Sequence, residues 1–309
     1  MRTAIFAGNR LLSPVERPAP LRSARTADTT PFRPLVVGAL YPGIERGLTA
    51  DVLATRALGG QALTVCTAHV MAGHGRVTDV LEVPSDAVAA QFEHLAATHA
   101  PTAVKIGIAG GAATIRVIAR ALDRLPSDLP VVLDLTLSGP SGEDIAEGGV
   151  REGLVSLLPR VTLATLRRVD AELVCGMEIP TLDDAQVAVQ RLNRLGAGRV
   201  LLRCGRIAES AFAADAGSAP LMRDLYYDGD DFTLFETPEV LAPGMHGASS
   251  LLTLATARSL ARGASAVEAV QGAERVTAEA VRGAADASYP DYGAGVAAAV
   301  LPPPGHAPS

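Results

Sequence analysis

The stretch Ala103–Leu137, AVKIGIAGGAATIRVIARALDRLPSDLPVVLDLTL, decides the fold of this chain. It holds two short apolar runs, Ala103–Ile108 and Val131–Leu137, of the kind found in strands buried on both faces. Between them, Ala112–Leu125 has apolar residues at helical spacing. A strand, a crossover helix and a second strand in this length predict two parallel strands with the helix packed on one face of their sheet.

The same alternation continues on both sides of this unit. Further strands are predicted at Leu35–Leu40, Ala62–Val70, Val161–Leu166 and Arg199–Cys204. Further helices are predicted at 48–58, from 84 onwards, and at 182–195, 248–262 and 265–284. The turn Asp228-Gly229-Asp230, between two apolar runs at 221–228 and 231–236, predicts a β-hairpin. The fold class is therefore α/β, with three α/β/α layers and a mostly parallel central sheet covered by helices on both faces.

The two ends of the chain differ in composition from this pattern. Residues 9–34 are rich in Arg, Pro, Ser and Thr, so residues 1–34 are predicted to be a poorly structured extension. Residues 301–309 are predicted to be a disordered tail for the same reason. One domain over residues 35–300 is expected between them.

Composition excludes several classes of function. The chain has 309 residues, 48% of them hydrophobic, with a formal net charge of −6 and no Trp. Neither nucleic acid nor an anionic membrane is an expected partner of such a surface. The start of the chain lacks the long apolar region of a signal peptide, and no apolar run is long enough to span a bilayer. A cytoplasmic location is expected.

Common motifs of nucleotide-binding and hydrolytic enzymes are missing. The sequence has no GxxxxGK[ST], no GxGxxG after the first strand, no HExxH and no GxSxG. Its three cysteines, Cys66, Cys175 and Cys204, include no CxxC pair and are expected to be reduced thiols.

The strongest local signal is the entry to a helix at Pro243–Leu252, PGMHGASSLL. Small residues there leave free backbone N–H groups and room for close approach, and the helix dipole adds positive potential. An anion-binding site is one interpretation. A purely structural helix start with small residues is the other.

The segment His246-Gly247-Ala248-Ser249-Ser250 resembles the Thr-His-Gly-Thr-Gly-Cys motif of the hydroxymethylpyrimidine/phosphomethylpyrimidine kinase family, within the ribokinase superfamily. His246 and Gly247 match, whereas serines replace the second glycine and the final Cys or Asp. Over 35–300 the resemblance also includes Gly47-Leu48-Thr49-Ala50-Asp51, Val104-Lys105-Ile106-Gly107 and the strand ending at Asp134. It implies a ribokinase-like fold.

Several family positions are altered. The substrate loop reads Ala39-Leu-Tyr-Pro-Gly-Ile-Glu-Arg46, and the substrate-contacting Gln has no counterpart near Met71. Thr-Pro-Asn-x-x-Glu is replaced by 165–170, TLRRVD, and Lys-Gly-Gly-His by 203–206, RCGR. The acceptor substrate is therefore not expected to be the usual pyrimidine of the family.

The resemblance implies ATP and Mg²⁺ as cofactors, a small-molecule substrate and a homodimer. It assigns catalytic roles to Ser250, Gly247 and Ser249, nucleotide contacts to Asp134, Arg167, Asp170, Arg203 and Gly205, substrate contacts to Gly38, Asp51, Met71 and His246, and Mg²⁺ to Asp134 and Asp170.

Chemistry leaves the activity open. Ser250 cannot act as a carboxylate base, and the Cβ of Ser249 crowds the anion site. The arginines would either bind anionic oxygens or be solvated surface charges. The interpretations are a divergent kinase that phosphorylates an alcohol, and an inactive or repurposed protein that binds a small anion or a protein partner. Lys105, inside an apolar run, is expected to pair with a carboxylate.

Overall fold

A computed structural model describes residues 2–7, 10–11, 31–73, 76–139, 142–146, 148–210, 220–240 and 246–286. Its strands are β1 Arg2–Ala7, β2 Arg10–Leu11, β3 Pro34–Leu40, β4 Leu63–Gly73, β5 Arg76–Glu82, β6 Ala103–Ile106, β7 Val131–Leu135, β8 Leu163–Arg167, β9 Val200–Gly205, β10 Leu221–Tyr227 and β11 Phe232–Pro238. The α-helices of this part of the chain are α1 Leu48–Ala57, α2 Ser85–Thr98, α3 Ala112–Leu122, α4 Val150–Leu157, α5 Arg168–Cys175, α6 Leu182–Arg194, α7 Ala248–Ala261 and α8 Ala266–Asp286.

All strands belong to one sheet in the order β2-β1-β11-β10-β9-β8-β7-β6-β3-β4-β5. The six central strands, from β9 to β4, pair in parallel. Antiparallel strands flank them: β5 beside β4 at one edge, and β10, β11, β1 and β2 at the other. The predicted parallel centre and the predicted hairpin, which is β10–β11, are confirmed.

Helices cover both faces of the sheet, as expected for the predicted three layers. One apolar core contains side chains of α2 to α6, and a second contains those of α1, α7 and α8. Neighbouring residues of one strand alternate between the cores: Val131 and Leu133 belong to the first, and Val132 to the second. This alternation explains why the central strands are apolar runs, because both strand faces are buried.

The beginning of the chain differs from the expectation of little regular structure. Strand β1 pairs with β11, from Arg2 opposite Glu236 to Phe6 opposite Phe232, and β2 pairs with β1. An antiparallel partner satisfies the edge of β11, which a compositional argument does not consider. Residues 12–30 and the predicted tail at 301–309 lie outside the described residues.

The parallel strands end on one side of the sheet, and this side positions the site. Asp134 lies near the end of β7, Arg167 ends β8, and Arg203 lies near the end of β9. Helix α7 begins beside them, since Ser249 contacts Asp134. Ligands of open α/β sheets bind at such strand ends.

Candidate functional site

Two cavities meet at the carboxyl ends of the parallel strands. The smaller, of about 320 Å³, lies over the start of α7 and is lined by Tyr41, Lys105, Asp134 and His246 among others. The larger, of about 690 Å³, lies between the β9–β11 strands and helix α8. Both are lined by Gly139, Arg167, Arg203 and Ala248. The two arginines therefore stand at the junction of the cavities.

Asp134 is the one carboxylate among the described residues that line the smaller cavity. Its Oδ1 accepts hydrogen bonds from Thr165 Oγ1 at 3.0 Å and Arg203 Nη2 at 3.2 Å, and its Oδ2 accepts one from Ser249 Oγ. Burial alone would raise the pKa of Asp134, but Arg203, Lys105 and the two hydroxyls hold the pKa below its usual range. Asp134 is therefore an ionised carboxylate at neutral pH.

Helix α7 presents its N-terminus to the smaller cavity. Its N-cap, Gly247, has φ 91°, a left-handed conformation that favours glycine, and no side chain caps the helix. The first helical hydrogen bond runs from Leu251 N to Gly247 O at 3.0 Å, so earlier N–H groups remain outside the helix ladder. Ser249 and Ser250 line the cavity beside them. The site combines backbone donors, the helix dipole and Arg203 around one space suited to an anion.

Asp170 lies in a different environment from the one that the resemblance implies. Its side chain is fully buried, and its Oδ1 accepts hydrogen bonds from Leu137 N at 3.0 Å, Ser138 N at 2.9 Å and Ser138 Oγ at 2.7 Å. Its Oδ2 accepts one from Arg167 Nε at 2.8 Å. The assignment of Asp170 to Mg²⁺ does not agree with this geometry, because the carboxylate is already saturated. Asp170 instead fixes the loop after β7 and the guanidinium of Arg167.

Lys105 and Asp51 form a buried ion pair below the smaller cavity. Lys105 Nζ lies 3.0 Å from Asp51 Oδ1 and 2.9 Å from Oδ2, and the side chains are 4% and 0% exposed. The predicted pairing of Lys105 with a carboxylate is confirmed. Lys105 lines the cavity, whereas Asp51 reaches it only through Lys105, so a direct substrate contact by Asp51 does not agree with the structure.

The altered first loop joins the start of α7 through one hydrogen bond. Arg46 Nε donates to His246 Nδ1 at 2.8 Å, and both residues line the smaller cavity. Because an arginine N–H only donates, the imidazole accepts at Nδ1 and carries its proton on Nε2. Residues 241–245, which include the first part of the predicted glycine-rich entry, lie outside the described residues.

Two residues that the resemblance assigned to substrate line neither cavity. Gly38 lies in β3 against Leu48, and Met71 lies in β4 opposite Asp79 of β5. Gly205, in contrast, lines the larger cavity with Cys204. Burial raises the pKa of the Cys204 thiol to about 12, so it is no nucleophile.

No sequence pattern selected the carboxyl pair Asp224 and Glu274, which the tertiary structure brings together. Asp224 lies in β10 and Glu274 in α8, both line the larger cavity, and their side chains are hydrogen-bonded. Fifty residues separate them in the chain, and neither belongs to a recognisable motif.

Comparison with known proteins agrees with this geometry. The sequence profile described as phosphomethylpyrimidine kinase matches residues 45–296. A hydroxymethylpyrimidine/phosphomethylpyrimidine kinase from Mycobacterium tuberculosis is 28% identical over 262 residues, covering 84% of this chain and 90% of the relative.

Solved structures show the same fold. A pyridoxal kinase from Staphylococcus aureus in complex with AMP-PCP superposes with a TM-score of 0.70 at 24% identity, covering 82% of this chain and 89% of that chain. A phosphomethylpyrimidine kinase from Clostridium difficile superposes with a TM-score of 0.67 at 22% identity, covering 81% of this chain and 99% of that chain. With the profile match over most of its length, this chain belongs to the phosphomethylpyrimidine kinase family, with a ribokinase-like fold.

Proposed function

We propose that this protein transfers a phosphoryl group from ATP to a hydroxyl group of a small heteroaromatic alcohol. The observation that carries the proposal is the pair of cavities joined by Arg167 and Arg203. The larger has the volume of a nucleoside site and the smaller that of a vitamin-sized substrate, within the usual range of ligand pockets. Nucleotide phosphates would lie between them, against the arginines and the start of α7.

Positioning and charge compensation account for the catalysis. Arg203 and Ala248, the first residue of α7, line both cavities at their junction, where charge on the transferring group would have to be stabilised. Asp134 is ionised and would orient the acceptor hydroxyl and take its proton as the bond to phosphorus forms. Ser249, whose hydroxyl donates to Asp134, holds that carboxylate in place. A carboxylate from β7 would thus supply the role for which the altered motif of α7 has no carboxylate.

The residues of this site do not provide the pair of carboxylates that the resemblance assigned to Mg²⁺. Asp170 is saturated by the chain itself, which leaves Asp134 as the one carboxylate among the described residues of the smaller cavity. Within the described ranges, no three His, Cys, Asp or Glu side chains are grouped as metal ligands. Arg167 and Arg203 supply positive charge at the junction instead. We propose no step that passes through a protein-bound metal.

Two further proposals concern the surroundings of the enzyme. No helix in the described part of the chain combines the length and the apolar character needed to cross a bilayer. We infer a homodimer, as the resemblance implies, and light scattering of the purified protein tests it. We also infer the cytoplasmic location that the sequence predicts.

The experiment that tests the function is a measurement of ADP release with hydroxymethylpyrimidine, its monophosphate and pyridoxal as acceptors. Turnover with one of them that is lost in Asp134→Asn supports the proposal. A folded protein that binds ATP without turnover on any acceptor contradicts it and favours the binding protein that the altered motifs also allow. The control is Asp86→Asn, which changes an exposed carboxylate on α2 away from both cavities.

A further inference from the structure

The wall of the larger cavity holds an unusual concentration of buried polar atoms without partners. Six buried side-chain N or O atoms of the described residues make no hydrogen bond, and three of the six are Glu274 Oε1, Thr277 Oγ1 and Arg203 Nε. All three residues line this cavity. Buried polar atoms are nearly always paired, so three unpaired atoms around one space indicate that a ligand pairs with them.

Two of these residues lie on one face of α8. Glu274 and Thr277 are three positions apart in the helix, so their side chains are neighbours. Ala248, Leu252, Ala278 and Val281 form apolar wall around them. Apolar wall combined with well-placed polar groups is the usual composition of a small-molecule site.

Glu274 is held in place by Asp224. A hydrogen bond between two carboxyl groups requires a proton, because two carboxylates only accept. Burial raises the pKa of Glu274 well above its usual value and the charge of Asp224 raises it further, while Arg203 opposes. Burial likewise raises the pKa of Asp224, to about 6. The pair therefore keeps one proton, which Glu274 donates to Asp224, and the second oxygen of Glu274 remains an acceptor.

We propose that Glu274 and Thr277 recognise the nucleoside end of the donor nucleotide in the larger cavity, with Glu274 as a neutral carboxylic acid anchored by Asp224. The inference rests on the proposed function, and it adds residues that no family motif selects. The partner that Glu274 Oε1 lacks is a hydrogen-bond donor, which a nucleoside offers as a ring amino group or a ribose hydroxyl. A neutral acid suits this position, since a carboxylate there would repel the phosphates held by the arginines.

The inference also predicts a pH dependence of binding. Below the pKa of the pair Glu274 is neutral, and as pH rises through that pKa the pair gains a second negative charge, which repels the nucleotide. The charged and titratable groups around the pair and the cavity are Arg203 and Cys204 on β9, Arg167 on β8, Arg168 on α5, Glu239 after β11 and Arg282 on α8.

The test is calorimetric titration of the full chain with ATP and with inorganic tripolyphosphate. Glu274→Leu is expected to weaken ATP binding about tenfold or more and to leave tripolyphosphate binding unchanged, because one hydrogen bond to the nucleoside is lost. Glu274→Gln keeps the acceptor oxygen and a donor to Asp224, so it should bind ATP within about threefold of wild type and should lose the decrease in ATP affinity that wild type shows as pH rises. The matched control is Glu279→Gln, an exposed residue of the same helix.

Thr277→Val preserves shape and tests the second unpaired atom of α8 if Glu274→Leu does not fold. It should weaken ATP binding several-fold without affecting tripolyphosphate. Two analogues identify the nucleoside group that donates to Glu274: inosine triphosphate lacks the ring amino group, and 2′-deoxy-ATP lacks the 2′-hydroxyl. Wild type and Glu274→Leu should bind with equal affinity the analogue that lacks the donating group.

The outcomes separate the two proposals. Wild-type protein that binds neither ATP nor tripolyphosphate overturns the proposed function and this inference with it. If wild type binds ATP but folded Glu274→Leu and Thr277→Val bind it equally well, the inference alone is overturned. Equal loss of both ligands in folded Glu274→Leu also overturns it, since the residue would then act through Arg203.

Discussion

Replacing Lys105 by methionine isolates the most buried charge pair of the site. Methionine keeps the length of the side chain and removes the ammonium, which leaves the Asp51 carboxylate at 0% exposure without its cation. Breaking a buried pair by removing one partner costs about 3–5 kcal/mol in the free energy of unfolding. For a protein with an expected stability of about 5–15 kcal/mol, this is a large part of the total.

The double variant Lys105→Met/Asp51→Val separates two effects: the loss of attraction between the two charges, and the cost of leaving Asp51 buried as an unpaired carboxylate. Because removing both charges leaves no unpaired ion, most of the 3–5 kcal/mol should return, as other proteins tolerate apolar replacement of buried ion pairs. Urea unfolding at neutral pH, followed by circular dichroism, measures both variants, and Arg160→Met, whose pair with Asp123 is exposed, is the control.

Two results would refute this reasoning. A cost below about 1 kcal/mol for Lys105→Met would mean that water reaches Asp51 despite its burial. A double variant as unstable as Lys105→Met would mean that altered packing, and not the unpaired Asp51 carboxylate, determines the loss in the free energy of unfolding.

Other predictions address the cavity and its anchors. Asp134→Asn should remove a contribution to the free energy of unfolding that is complete above about pH 4 and is lost as pH falls further, because folding lowers the pKa of Asp134. Urea unfolding at pH 7 and pH 3 measures the difference between wild type and variant, and the same difference at both pH values would contradict this prediction. Asp170→Leu should free Arg167 and weaken tripolyphosphate binding about tenfold in calorimetry, whereas unchanged affinity in a folded variant would separate Arg167 from the phosphate site. Gly247→Ala should lower the free energy of unfolding by about 1–2 kcal/mol, because alanine is strained at the φ of 91° that Gly247 adopts. An unchanged midpoint in thermal unfolding would contradict this prediction. Removing Mg²⁺ with EDTA should weaken ATP binding less than about tenfold, since Arg167 and Arg203 line the junction proposed for the phosphates; a larger loss would show that the arginines do not replace the metal.

Local patterns were sufficient for the main elements of the fold. The apolar runs around Ala103–Ile106 and Val131–Leu135 are central strands of the sheet, as predicted. Strands buried on both faces are nearly continuous apolar runs, which makes them recognisable in the sequence. Strand β5, exposed along much of its length, and the short helices α4 and α5 were not predicted. The two helices have eight residues each, which is too short for the spacing of apolar residues to distinguish a helix from a loop, and the polar sequence of β5 does not resemble a buried strand.

Within the site, the predicted position of a residue agreed with the structure where its contacts come from residues close to it in the chain. Gly247 and Ser249 lie together at the start of α7, as their adjacency in the sequence indicated. The partner of Lys105 required the structure, since Asp51 is 54 residues away. So did the saturation of Asp170, whose hydrogen-bond donors come from the loop after β7.

By itself, the sequence determined the fold class, the parallel centre of the sheet and the resemblance that the family profile confirms. These features depend on burial patterns and short motifs, which involve residues close together in the chain. Only the tertiary structure decided which charges meet. It paired Arg203 with Asp134, Arg167 with Asp170 and Glu274 with Asp224, and it joined two cavities at the arginines. The physical reason is range: hydrophobic periodicity acts within a helix or strand, whereas the electrostatics of a site depend on distances of a few ångströms between residues far apart in the chain.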